Sequence, residues 1–245
     1  MQLKRLPAFL TITYLFTWTF WIALIVLVRR GALIVGEWNY TLLFTIGGFG
    51  PFVGAIAVLP GEKSLKRILD RIFFSRDGSW IWLFAMALAL LITVGASSLE
   101  LAMGMTLSSA PYLLLISTFF QGGQEEIGWR GTLQPILEER FSYPISTLIT
   151  GLIWACWHLP LWLIPGTGQS EMPFLLYAFL AVLLSFWLGG LYKKTGSVFY
   201  CSLFHGWNNL LFMFFVIKPN LLFFIGLILM TVFSSRLAIS ASRFD

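Results

Sequence analysis

Apolar stretches close to the ~20 residues that a helix needs to cross roughly 30 Å of hydrocarbon follow one another along this chain with only short connections. The pattern predicts an all-α fold, a polytopic transmembrane helical bundle of about eight spanning helices. Spans are expected near 8 to 28, 41 to 60, 79 to 98, 111 to 129, 144 to 163, 173 to 191, 197 to 215 and 219 to 235. With 58% apolar and 11% charged residues, all of 1–245 reads as a single integral membrane domain. The first stretch follows Lys4 and Arg5 and imitates a signal peptide. Its apolar run is too long for one and ends in Arg29-Arg30 without a small-residue cleavage pattern, so a retained helix is expected.

Basic residues orient the bundle. With the amino terminus in the cytoplasm, thirteen of the sixteen Lys and Arg fall inside and only Arg29, Arg30 and Lys218 fall outside, which predicts that both termini are cytoplasmic. The net charge of +5 therefore reflects topology, and its scatter over cytoplasmic connections gives no motive for a nucleic-acid partner. In segment 61 to 77, Leu65, Ile68, Leu69, Ile72 and Phe73 recur at helical spacing among Lys66, Arg67 and Arg71. An interfacial amphipathic helix is expected there, either a plain connector or one that also attracts anionic lipid headgroups. Gly50 and Gly54 form a small-xxx-small pattern suited to close helix packing. No internal repeat suggests the inverted halves of a transporter. Cys156 and Cys201 lie in apolar helices where no disulfide framework is expected, and only Cys201 shares a helix face with a histidine, His205.

Polar residues inside such spans are costly. An ionised carboxylate near the bilayer centre costs about 2.5 to 3.5 kcal/mol on insertion scales, so the adjacent Glu125 and Glu126 need partners or a polar cavity. They lie in Gln121-Gly122-Gly123-Gln124-Glu125-Glu126-Ile127-Gly128-Trp129-Arg130, a run too rich in polar and small residues to face lipid. On a helix Glu126 and Arg130 stand four apart and can pair, while Glu125 is rotated by about 100° and aims elsewhere. Glu126 is therefore expected to be an anchored anion and Glu125 to be available to take a proton from water. Ion-pair stapling of helices is the plainer account, and it explains Glu126 better than Glu125.

The only two histidines also fall in expected spans, His158 in Trp154-Ala155-Cys156-Trp157-His158-Leu159-Pro160 and His205 in His205-Gly206-Trp207-Asn208-Asn209. Imidazole suits both proton transfer near neutral pH and metal binding, so both chemistries are open. His205 and Asn209 share a helix face and can converge on one substrate atom as donors to a developing oxyanion, with Asn208 as a second geometric choice. Trp154 shares a face with His158 and sets an aromatic wall beside it. Pro160 either kinks that helix or marks the approach to its end. Counting ~1.5 Å per residue puts Glu125 and His205 in the cytoplasmic half of their spans and His158 deeper.

These motifs, Glu-Glu-x-x-x-Arg at 125 to 130, aromatic-x-x-x-His at 154 to 158 and His-x-x-x-Asn at 205 to 209, occur in the order found in the CPBP family, which this chain resembles. That family unites type 2 CAAX prenyl proteases with bacteriocin-processing and Abi proteins. The resemblance implies a motif core over 111 to 215 and an intramembrane endopeptidase acting on a membrane-associated substrate, prenylated CAAX-type or bacteriocin-like. It implies that Glu125 and His158 activate water, that His205 and Asn209 hold the oxyanion, and that Glu126 and Arg130 support the site. Trp154 departs from the Phe more common there, which bears on pocket shape. The family is commonly classed among metallopeptidases. A Zn2+ version would use Glu125, His158 and His205 as ligands with one position open for water, although no His-Glu-x-x-His motif is present. A metal-independent Glu-activated water is the other expectation. Two further classes stay open: a proton-coupled transporter using the same Glu and His residues as a relay, and a non-catalytic immunity protein that binds a peptide. Short loops favour a prokaryotic cytoplasmic membrane.

Overall fold

The computed structural model describes residues 3–58, 69–70, 72–76 and 78–241. Most of the expected amphipathic segment 61 to 77 lies outside the described residues. The principal helices are α1 (Leu6–Arg29), α2 (Trp38–Gly48), α3 (Gly50–Val58), α4 (Trp80–Ser97), α5 (Ala110–Phe119), α6 (Gln134–Glu138), α7 (Tyr143–Trp157), α8 (Phe174–Thr195), α9 (Val198–Phe214) and α10 (Leu221–Ala241). No strand occurs among the described residues, only an isolated antiparallel bridge between Leu101 and Phe215. The chain is a polytopic helical membrane protein.

Six helical segments are long and apolar enough to cross a membrane among the described residues: Leu3–Arg29, Trp38–Val58, Trp80–Ser97, Tyr143–Leu163, Phe174–Thr195 and Leu221–Ala241. Each corresponds to an expected span. The other two expected spans are shorter as helices. The stretch 111 to 129 is α helix only as far as Phe119, because Gly122 adopts a φ of 129° that no α helix accommodates. The stretch 197 to 215 becomes the 17-residue α9, whose buried face carries Ser202 and His205 as well as apolar residues.

The described chain forms two compact units, each discontinuous in sequence, residues 1–62 with 127–185 and residues 63–126 with 186–245. In the first unit, α1 packs on α2 and α3 at backbone contact distance. The Thr17 hydroxyl donates to the Gly47 carbonyl (2.7 Å) and the Trp21 indole donates to the Phe44 carbonyl (3.0 Å). A Cβ on Gly50 would stand 2.6 Å from the Thr13 carbonyl and one on Gly54 would stand 3.1 Å from that of Phe9, so the small-xxx-small pattern is a helix contact. Gly50→Val should accordingly lower stability by about 1–3 kcal/mol, the usual cost of overpacking, read from unfolding in detergent. On its other side α1 meets α7, where Tyr14 donates to the Ile153 carbonyl (2.7 Å) and Trp18 to that of Trp157 (3.0 Å).

In the second unit, α9 is the central helix. Ser197 caps its start by accepting from the Tyr200 amide (3.1 Å), just after a turn at Gly196 with a φ of 69°. Gly206 lies against Thr118 on α5, too close for any side chain. The Trp207 indole donates to the Ala87 carbonyl on α4 (2.9 Å). At the far end of α9 the chain is clasped by backbone bonds from the Ala102 amide to the Phe214 carbonyl (2.8 Å) and from the Val216 amide to the Glu100 carbonyl (2.9 Å). These bonds fix the axial position of the helix that carries His205 and Asn209.

Candidate active site

In the second unit, α5 ends at Phe119 and the chain turns through Phe120, Gln121 and Gly122 into a single 3-10 turn, Gly123–Glu125. Sterics explain why two glycines stand here. Gly122 has its φ of 129°, and a Cβ on it would run into the Asn209 amide and lie 3.0 Å from His205 Nε2. A Cβ on Gly123 would stand 2.6 Å from the Ser202 carbonyl. The turn therefore presses its backbone against α9 where side chains would prevent it. Its carbonyls are used at once, since the Glu125 amide donates to Gly122 O (3.0 Å) and the Glu126 amide to Gly123 O.

Both acids are buried, Glu126 completely and Glu125 with 6% exposure. Glu125 closes the 3-10 turn and Glu126 opens the next helical segment, so the two are not successive positions on one regular helix. Glu126 receives a partner that sequence spacing did not suggest: its Oε1 lies 2.8 Å from His205 Nδ1, 79 residues along the chain. A carboxylate only accepts, so Nδ1 carries the proton and the ring is held with Nε2 turned toward Gly122. One turn further along α9, Asn209 Nδ2 donates to the Gln121 carbonyl (2.9 Å) while its Oδ1 accepts from Asn208 (3.3 Å). Of the two neighbouring asparagines, Asn209 is thus the one that meets the turn, and a carboxamide nitrogen has a second hydrogen to give. His205 and Asn209 border the notch left by Gly122, and Glu126 holds His205 from the other side of its ring.

The first unit holds His158, Trp154 and Arg130. α7 ends at Trp157, His158 is its C-cap, and the chain tightens into a 3-10 turn, Leu159–Leu163, with Pro160 at its start. Proline ends the α helix here, since it has no amide hydrogen to continue the ladder. His158 Nδ1 lies 2.9 Å from the Trp154 carbonyl, which can only accept, so Nε2 is the basic nitrogen of the neutral ring. The imidazole is walled by aromatic rings, with centroids of Trp157 at 4.5 Å, Tyr177 at 5.3 Å, Trp154 at 5.6 Å and Trp21 at 5.9 Å. The predicted wall at Trp154 is present, and three more rings complete it. Fully buried Arg130 lies over the Trp154 ring, 5.8 Å from its centroid. Arg130 belongs to a π-helical segment, Trp129–Leu133, a distortion frequent at functional sites.

Among the described residues no three His, Cys, Asp or Glu side chains form a group that could hold a metal ion.

Residues 107–211 match the family model of the Rce1-like type II CAAX prenyl endopeptidases. The chain is also 34% identical over 61 residues to a protein named CAAX prenyl protease 2 from Methanococcus maripaludis. That match covers 25% of this chain and spans 21% of the relative's length.

Proposed function

We infer, on the support that both matches give to a CPBP family protease, that this integral membrane chain is an endopeptidase that hydrolyses a peptide bond of a membrane-associated substrate. The observation that carries the reading is the arrangement of His205 Nε2 and Asn209 Nδ2 around the Gly122 notch, with Glu126 bonded to the far side of the imidazole. Two converging donors backed by a buried carboxylate suit an oxygen that becomes negative during reaction. A substrate carbonyl entering the notch would be polarised there. Water attacks its carbon and gives a proton to Glu125. The charge on the carbonyl oxygen is met by His205, protonated at both nitrogens with Glu126 as counter-charge, and by the second hydrogen of Asn209. The C–N bond then breaks, and the proton held by Glu125 passes to the departing amine. The part of His158 in activating the water rests on its motif and on the basic Nε2 that its bond to Trp154 leaves.

We further propose a prenylated CAAX-type or bacteriocin-like peptide as substrate and a prokaryotic cytoplasmic membrane as location. The domain is proposed to be one functional protease over 1–245. Zn2+ held by Glu125, His158 and His205 is retained as a proposal for direct metal analysis.

The test is reconstitution in sealed liposomes with membrane-anchored peptides, with and without an isoprenylated cysteine, and mass spectrometry of the products. Cleavage by the wild-type protein is expected. Proton flux that depends on Glu125, with no hydrolysis of any peptide, would instead identify a transporter. Metal content of the same preparation, measured with and without chelator, decides between metal-independent and Zn2+ chemistry.

A further inference from the structure

The peptide group between Gln121 and Gly122 is gripped at both ends. Its carbonyl accepts from Asn209 Nδ2 (2.9 Å), and its amide donates to Gln124 Oε1 (2.8 Å). Gln124 is itself buried, with 5% exposure. Its side chain therefore folds back by two residues onto the turn that precedes the acid pair. Without that acceptor the Gly122 amide is buried with no bond from Gln124, at a cost of about 1–3 kcal/mol that rotation of the peptide could relieve. Glycine at a φ of 129° has the freedom for such rotation, so nothing in its own backbone preference prevents it.

We propose that Gln124 is a positioning residue for hydrolysis. It fixes the orientation of the Gln121–Gly122 peptide, and through it the depth of the notch before His205 Nε2 and the placement of Glu125, whose amide bonds to Gly122 O. The proposal rests on the protease reading above. Gln124 touches no reacting atom in this account and acts through the turn. A substitution that frees the peptide moves both the carbonyl cradle and the proton acceptor, while peptide binding elsewhere is untouched.

The decisive variant is Gln124→Met, which has a similar length and no strong acceptor, compared with Gln124→Glu, which keeps an oxygen at the same reach. Misplacement of reacting groups by about 1 Å lowers rate roughly a hundredfold, so Gln124→Met should lower kcat by about that factor with KM unchanged. An independent readout comes from the two histidines of the chain, which make selective 15N-histidine labelling simple to assign. In Gln124→Met the His205 Nε2 resonance should move and that of His158 should not, and Gln124→Glu should hold His205 nearer its wild-type position. Unchanged kcat in Gln124→Met overturns the proposal. So does a lowered kcat with an unmoved His205 resonance, which would mean a general loss of packing. If the wild-type protein hydrolyses nothing, the protease reading fails and the His205 resonance alone decides the role of Gln124 in the turn, an unmoved signal overturning it.

Discussion

Glu125→Ala is expected to lower kcat/KM by about 10²–10⁴, the range for removal of a general base. The fold should survive, because Glu125 closes a 3-10 turn whose conformation is set by its neighbours. Its backbone amide, which bonds to Gly122, is retained in the variant. Glu125→Gln sharpens the test. The amide has nearly the same shape and cannot take a proton, so it should be as inactive as alanine, measured as initial cleavage rate in liposomes. Glu126→Gln should behave differently. Its carboxamide oxygen can still accept from His205 Nδ1, and what is lost is the counter-charge, so a partial loss is expected with binding preserved. Equal activity of Glu125→Gln and wild type would remove Glu125 from the chemistry.

Gly122→Ala is expected to remove most activity from the opposite side of the reaction. An added methyl would lie 3.0 Å from His205 Nε2 and collide with the Asn209 amide, filling the notch where the carbonyl oxygen is proposed to sit. Loss of one oxyanion donor typically costs about 10²–10³ in kcat, and this substitution obstructs two. The φ of 129° adds backbone strain of order 1–3 kcal/mol, which should appear as a modestly lower unfolding midpoint. Gly123→Ala provides the contrast, since the atoms nearest its methyl are backbone atoms of Thr118 and Ser202. There stability should fall first. If both variants lose activity only in proportion to their stability, the notch has no chemical role.

Much of this architecture was legible because lipid makes hydrophobic length a strong signal. The runs that became α1, α4, α8 and α10 needed only counting, and Gly50 with Gly54 announced a close helix contact. The helix-face argument also paired His205 with Asn209 and Trp154 with His158, since each pair is local and four residues is about one turn. What spacing did not carry was the bond between Glu126 and His205, because two residues so far apart meet only through the tertiary fold. The break at Gly122 was marked by a Gly-Gly pair, but treating 111 to 129 as one helix gave hydrophobic length precedence over that punctuation. The bond from the Gly122 amide to Gln124 is hidden from spacing for the same reason, since it exists only once the helix is interrupted.

The long separation of Glu126 from His205 also has a meaning for how the protein is made. At a synthesis rate of about 5–20 residues per second, His205, 79 positions after Glu126, follows it by roughly 4–16 s, so the acid leaves the ribosome well before the imidazole that will bond to it. The turn bearing both glutamates must wait through the delivery of α7 and α8 before α9 arrives to receive it. Maturation of this site is therefore a late event in biogenesis. A nascent chain arrested before residue 205 has every spanning segment through α8 but lacks the imidazole to which Glu126 bonds.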